Sequence, residues 1–161
     1  ILVIDDSFAN IKAAQQQLAG KYELTVVTSF DKAEEVMNHG GHWYKEGPPQ
    51  FDVVLTDMMM PASYKGVSAE KSYSEQPYGL VFILNAIRRG IKMIGLVSDG
   101  SHHESPMHWA LDMIGYGEQQ KVIMLGDAAL YCDEMCMCKD EMDGVRVKNW
   151  EAALNELLAA K

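Results

Sequence analysis

The chain of 161 residues is long enough for one domain with a sizeable core and too short for two ordinary domains. Its 14 Lys and Arg against 23 Asp and Glu give a net charge of −9, which argues against nucleic acid or an anionic membrane surface as a direct partner. No apolar run approaches the roughly 20 residues of a membrane helix, and the start lacks a basic signal-peptide region, so a cytoplasmic protein is expected.

The first part of the chain alternates short apolar runs with helical patterns. The runs at 1–4 and 22–28 are rich in β-branched residues and predict strands. Helices are predicted at 9–18 and 30–38, where apolar side chains recur at helical spacing. The segment 51–61, FDVVLTDMMMP, contains a third strand that ends on a carboxylate and is followed by a proline.

The middle of the chain continues the alternation after a long polar stretch. Residues 62–77 predict an extended loop, and the periodicity of Tyr78 to Arg89 predicts a helix that Gly90 ends. A fourth buried strand is expected at 92–97 and a further helix at 106–114. A βαβαβαβα pattern requires crossover connections, so we expect an α/β protein with a doubly wound, mainly parallel sheet covered by helices.

The last part of the chain has two strand candidates for the end of the sheet. Lys121 to Leu125, a turn at Gly126–Asp127 and Ala128 to Cys132 favour a β-hairpin. Val145 to Lys148 is another strand candidate, and Trp150 to Ala160 is an amphipathic helix. The pattern leaves open whether the last sheet strand is 145–147 or 121–125.

Oxygen-bearing side chains follow three of the predicted strands. Asp5 and Asp6 follow the first, Asp57 the third and Ser98 the fourth. The carboxyl ends of parallel strands share one edge of a sheet, so these side chains should meet in one cleft. Carboxylates gathered there repel each other unless a cation is present, and hard oxygen ligands select Mg²⁺ or Mn²⁺. Lys148 follows a later strand and is a candidate ammonium partner.

The chain contains the four segments VIDDS, VVLTDMMMP, GLVS and VKNWEAALNELL. Together these segments resemble the receiver domain of two-component response regulators, of the chemotaxis-regulator-like kind. The resemblance covers nearly the whole chain, 1–161, as one receiver-like domain with inserts at about 41–50, 62–77 and 116–143. It implies a flavodoxin-like sheet of five strands in the order 2-1-3-4-5 with helices on both faces, the hairpin being an insertion.

The resemblance also implies a role for each matching residue. Asp57 would accept a phosphoryl group from a histidine kinase or phosphotransfer protein, an activity limited to self-phosphotransfer and autodephosphorylation. Mg²⁺ would be held by Asp6 directly, by Asp57, by Asp5 through water and by the backbone carbonyl of Met59. Ser98 and Lys148 would contact the bound phosphoryl group. The partner that receives the signal would be a downstream protein. The resemblance leaves open whether the chain forms a homodimer.

The chain departs from the receiver pattern at three positions. Asp99 follows Ser98 where the family prefers a small residue, and Asn149 replaces the usual proline after the lysine. Val145 stands where many receivers carry an aromatic residue. These differences predict that signal output from the site differs from that of the usual family member.

Three other interpretations stay open at this stage. The chain could be a degenerate receiver that acts as a protein-binding or scaffold module without phosphorylation. A small phosphatase with an aspartate nucleophile is disfavoured, because the first strand is not followed by a D-x-D pair. A zinc site is disfavoured because the spacing of its candidate ligands matches no usual structural pattern; these ligands are His102, His103, His108, Cys132, Cys136 and Cys138.

Overall fold

A computed structural model of the protein describes residues 1–37, 49–61, 75–98, 121–133, 136–140 and 144–160. The helix expected at 106–114, Asp99 and the three histidines of the zinc hypothesis lie outside these residues, as does most of the loop expected at 62–77. The strands are β1 Leu2–Ile4, β2 Thr25–Val27, β3 Val53–Thr56, β4 Met60–Pro61, β5 Glu75–Gln76, β6 Met93–Val97, β7 Val122–Leu125, β8 Ala128–Asp133, β9 Met137–Lys139 and β10 Arg146–Lys148. The helices are α1 Phe8–Leu18, α2 Phe30–Met37, α3 Tyr78–Arg88 and α4 Trp150–Ala159.

The central sheet is mostly parallel, which confirms the predicted α/β class. Its strand order is β2-β1-β3-β6-β8-β7, and every neighbouring pair is parallel except β7 with β8. Within the described residues the sheet therefore has six strands, and the expected count of five was wrong. The additional strand is β7, which lies antiparallel at one edge.

The predicted hairpin forms, but it belongs to the sheet. The strands β7 and β8 are joined through Gly126, whose φ of 66° is a left-handed conformation that favours glycine. β8 pairs in parallel with β6 and is almost wholly buried, as expected for a strand covered on both faces. Neither 121–125 nor 145–147 is thus the last parallel strand. The segment 146–148 instead forms β10, which pairs with β9 in a separate two-stranded sheet and with no other strand in the described part of the chain.

Helices cover both faces of the central sheet. On one face α2 and α3 pack on the sheet through residues such as Met37 and Phe82. On the other face α1 and α4 pack on it through residues such as Leu18 and Trp150, and the β9–β10 pair joins them through Val147. Side chains along β1 alternate between the two cores, so both sides of the strand are apolar. Among the described residues, no helix combines the length and apolar character needed to cross a membrane.

Candidate functional site

Two aspartates meet at the carboxyl edge of the central sheet. Asp5 follows β1 and Asp57 follows β3, and these strands are parallel neighbours with Ile4 opposite Thr56. The backbone N–H of Asp57 donates to the carbonyl of Ile4 (2.8 Å), which continues the ladder to the edge. Asp5, Asp6 and Asp57 each offer a carboxylate oxygen within 4.8 Å of the others. The structure therefore brings together the three carboxylates singled out from the sequence.

Lys148 bridges two of these carboxylates. Its Nζ atom lies 2.7 Å from Oδ2 of Asp5 and 2.7 Å from Oδ1 of Asp57. Lys148 and Asp5 are 0% exposed and Asp57 is 6% exposed. Charges removed from water to this extent are stable only when they are paired and hydrogen-bonded. Nζ also lies 5.5 Å from the centroid of the Trp150 ring, within the range of a cation–π contact.

Side chains of α1 hold the backbone of Lys148, which comes from outside the central sheet. The backbone N–H of Lys148 donates to Oδ1 of Asn10 (3.1 Å), and its carbonyl accepts from Nε2 of Gln17 (3.1 Å). Gln17 is fixed in turn, because its Oε1 accepts from the backbone N–H of Glu151 (3.1 Å). The Trp150 indole N–H donates to the carbonyl of Asn10 (2.9 Å). Two polar side chains of α1 thus satisfy the backbone N–H and carbonyl of Lys148, whose strand also pairs with β9.

The backbone around Asp57 is fixed by its own segment and by α3. Oδ1 of Asp57 accepts from the backbone N–H of Met58 (2.6 Å), and the hydroxyl of Thr56 donates to the Asp57 carbonyl (2.8 Å). The backbone N–H of Gly79 donates to the carbonyl of Met58 (3.0 Å). A Cβ atom at residue 79 would lie 2.3 Å from the Asp57 carbonyl oxygen, closer than real Cβ contacts. Glycine is therefore required for α3 to begin this close to the site.

Asp6 is the exposed member of the acidic group. Partial loss of solvent around its carboxyl raises the pKa of Asp6, and the negative charges of Asp5 and Glu75 raise it further. A backbone hydrogen bond and the charge of Lys148 act in the opposite direction. The raised pKa of Asp6 therefore reflects partial burial first and the crowding of negative charge by Asp5 and Glu75 second. A cation at this position would relieve that crowding.

The donor set fits a divalent cation with hard oxygen ligands. Three carboxylates and one ammonium give Asp5, Asp6, Asp57 and Lys148 a formal charge of −2, which one divalent ion would balance. Magnesium prefers oxygen ligands at about 2.0–2.1 Å in an octahedron, so opposite ligands lie roughly 4.2 Å apart. The limit of 4.8 Å between the carboxylate oxygens is compatible with that geometry. Among the described residues, no other group of three or more metal-ligating side chains comes together.

Ser98 and Met59 lie near the same edge. Ser98 follows β6, the strand that pairs with β3, and is 2% exposed. Its backbone N–H donates to the carbonyl of Asp133 (3.2 Å), which ties the end of β6 to the end of β8. Met59 is half-buried and lies two residues after Asp57. Their positions in the chain place both residues on the side of the sheet where the carboxylates gather.

Asn10, Gln17 and Gly79 were not identified as functional residues from the sequence. A signal existed for Asn10, because it shares the inward face of α1 with Ala13, Ala14 and Leu18 and is itself buried. A polar residue at such a position needs a hydrogen-bond partner, and here the partner is the backbone of Lys148. The close approach at Gly79 has no comparable signature in the sequence.

No protein-family model, no curated protein and no solved structure matches this chain. The geometry of the acidic site is therefore the basis for assigning a function.

Proposed function

We propose that this chain is a phosphoacceptor receiver domain, which takes a phosphoryl group on Asp57 from a histidine kinase or a phosphotransfer protein. The observation that carries this proposal is the contact of one buried ammonium, Lys148 Nζ, with both Asp5 and Asp57 beside the carboxylate of Asp6. Without its antiparallel edge strand β7, the sheet order β2-β1-β3-β6-β8 corresponds to the flavodoxin-like order 2-1-3-4-5. This arrangement supports a flavodoxin-like fold with its site at the carboxyl edge.

The chemistry requires a carboxylate that attacks phosphorus and groups that absorb the developing charge. A carboxylate oxygen of Asp57 forms the new O–P bond while the P–N bond of a phosphohistidine breaks, and the imidazole nitrogen keeps the electron pair. Lys148 is already within hydrogen-bond distance of Asp57 and is positioned to pair with a phosphoryl oxygen. Ser98 is the candidate hydroxyl donor to the same group.

A magnesium ion held by Asp5, Asp6 and Asp57 would neutralise charge on the transferring phosphoryl group. Asp6 is the exposed ligand and is open to solvent, whereas Asp5 is shared with Lys148 and with the backbone N–H of Ser7 (2.8 Å). This difference supports the role of Asp6 as the main direct ligand. The chain's own contribution is to hold these three carboxylates at one edge.

Phosphorylation would redistribute the contacts of Lys148. A phosphoryl group on Asp57 carries about two negative charges where the carboxylate carried one, and it brings three acceptor oxygens beside an ammonium that Asp5 and Asp57 now share. The movement of this ammonium toward the phosphoryl group would pull on β10 and on the start of α4. A local charge change would in this way become a change at the surface, which a downstream protein can recognise.

Labelling with acetyl phosphate or a phosphorylated histidine donor in the presence of Mg²⁺ tests the proposal. We expect the wild-type chain to gain one phosphoryl group and Asp57→Asn to gain none. Asp52→Asn is the matched control, because Asp52 is exposed and precedes β3 at its opposite end. Equal labelling of wild type and Asp57→Asn would contradict the proposal. A wild-type chain that takes up no phosphoryl group would favour the scaffold function instead.

A further inference from the structure

Two thiols flank the residue that pairs with Lys148. Cys136 and Cys138 lie on either side of Met137, and Met137 is opposite Lys148 in the antiparallel β9–β10 pair. Cys136 continues this register, since the backbone N–H of Asn149 donates to its carbonyl (2.8 Å). Both cysteines are half-buried against the core that α1 and α4 share. The dithiol thus belongs to the same two-stranded sheet that presents the lysine.

The two thiols contact the backbone around the lysine directly. The Cys136 thiol donates to the carbonyl of Asn149 (3.3 Å), and the Cys138 sulfur lies 4.0 Å from the carbonyl of Lys148. Nε2 of Gln17 lies 3.5 Å from the Cys138 sulfur and 3.1 Å from the Lys148 carbonyl. A change at either sulfur therefore reaches the hydrogen bonds that position Lys148.

The spacing of the two cysteines determines how a disulfide bond between them would change the strand. Successive side chains of a strand alternate in direction, so Cys136 and Cys138 project to one face. Residues two apart in an extended strand have Cα atoms roughly 6.6 Å apart. Disulfides span Cα distances of about 4.4–6.8 Å and most often about 5.5–6 Å. The Cβ atoms of two such residues are about as far apart as their Cα atoms, whereas a disulfide needs Cβ atoms about 3.5–4.5 Å apart, so a bond between these cysteines must shorten the strand at Met137 and disturb its pairing with Lys148.

We propose that Cys136 and Cys138 form a reversible dithiol–disulfide modification site that controls the position of Lys148. The oxidant is a low-molecular-weight disulfide. Its S–S bond is reduced to two small thiols, and the two cysteine thiols lose two protons and two electrons as their own S–S bond forms. The regulatory consequence rests on the proposed function, because it assigns Lys148 to the phosphoryl site.

The environment of the thiols sets the rate of this exchange. Burial raises the pKa of both Cys136 and Cys138, so thiolate is scarce at neutral pH. The exchange should therefore be slow near neutrality and accelerate as the pH rises. Cys132 is more deeply buried, and its pKa is raised to about 12 by burial, so it should not compete.

The first test is the covalent bond itself. After treatment of the folded protein with oxidised glutathione, we expect the intact mass to fall by two hydrogens and to recover with dithiothreitol. Cys132→Ala should behave in the same way, whereas Cys136→Ser and Cys138→Ser should each give only a glutathione adduct. Adducts on the wild-type chain without an internal bond would overturn the proposal.

The second test is the coupling to the lysine. In ¹H–¹⁵N spectra of the chain, the backbone amide of Lys148 should shift on oxidation of the wild type. It should not shift in the Cys136→Ser/Cys138→Ser variant, which keeps hydroxyl donors but cannot form the bond. An internal disulfide that leaves the chemical shift of this amide unchanged would overturn the proposal that the disulfide controls the position of Lys148. Phosphorylation of the reduced protein is measured separately, so its failure would contradict the proposed function and leave the modification site standing.

Discussion

The Nζ atom of Lys148 lies 2.7 Å from Oδ1 of Asp57, although the two residues come from different sheets. Asp57 follows β3 of the central sheet, while Lys148 ends β10 of the separate two-stranded sheet. The contact is made at a position where both side chains are almost fully removed from solvent. Its geometry therefore depends on how firmly β10 is held against α1.

Replacement of Lys148 by Gln should destabilise the protein in the absence of metal. The carboxylates of Asp5 and Asp57 would lose a buried cationic partner, a change that costs about 3–5 kcal/mol when a buried pair is broken. Urea unfolding monitored by circular dichroism measures the difference, and Mg²⁺ should restore part of it. Lys32→Gln removes a solvent-exposed pair with Glu35 and should leave the stability unchanged. Equal stability of Lys148→Gln and wild type would contradict the buried bridge.

Replacement of Asn10 by Ala should disturb the site without removing any of its charged groups. The buried N–H of Lys148 would lose its acceptor, which costs about 1–3 kcal/mol. We expect lower stability together with slower phosphoryl transfer to Asp57, because the lysine is less firmly held. Gln15→Ala changes an exposed residue of the same helix and is the control. Unchanged rates in Asn10→Ala would show that α1 does not position Lys148.

Replacement of Gly79 by Ala should displace the segment that carries Asp57. The added Cβ would lie 2.3 Å from the Asp57 carbonyl oxygen and 2.8 Å from Cα of Met58, and neither is the end of a flexible side chain. Overpacking of this kind costs about 1–3 kcal/mol. The midpoint temperature of thermal unfolding and the phosphorylation rate should both fall. Leu84→Ala, at an exposed position of α3, should change neither quantity appreciably. A stable and fully active Gly79→Ala would contradict the close approach of α3.

The protein should lose stability at alkaline pH through the buried end of β8. Burial raises the pKa of Cys132 from 9.0 to about 12, and burial with neighbouring negative charge raises the pKa of Tyr131 above 10.0. Groups whose pKa is raised in the folded state contribute stability that is complete below the unfolded pKa and is lost as the pH rises. Unfolding free energies should therefore fall between about pH 9 and pH 12. The fall should be smaller in Cys132→Ala, and an identical pH profile would contradict this account.

The sequence predicted the alternation of strands and helices because the apolar periods are strong in the parallel core. The apolar runs at 53–55 and 93–97 are each followed by polar residues, so their burial and their shared edge could be inferred. The approach of Asp5, Asp6 and Asp57 follows from the same rule. These features can be predicted from the local sequence pattern and the geometry of a parallel sheet alone.

The last part of the fold could not be derived in this way. Ala128 to Cys132 was expected only to return within a hairpin, yet the observed strand β8 also pairs with β6 on its other side. A sequence pattern indicates that a strand is buried, but it does not indicate which two strands pair with it. The attachment of β10 to α1 depends on Asn10 and Gln17, whose partners are distant in the chain. The pattern of α1 indicates that Asn10 is buried, but the partners of Asn10 and Gln17 follow from tertiary packing.

The most direct test of the account is to locate the phosphoryl group after reaction of the chain with a phosphorylated histidine donor and Mg²⁺. Borohydride reduction of the acyl phosphate followed by peptide mass spectrometry identifies the modified residue. We predict a single modified position, Asp57, whose formation stops when the metal is removed by a chelator. Modification at another residue, or none at Asp57 with metal present, would contradict the assignment of this acidic site.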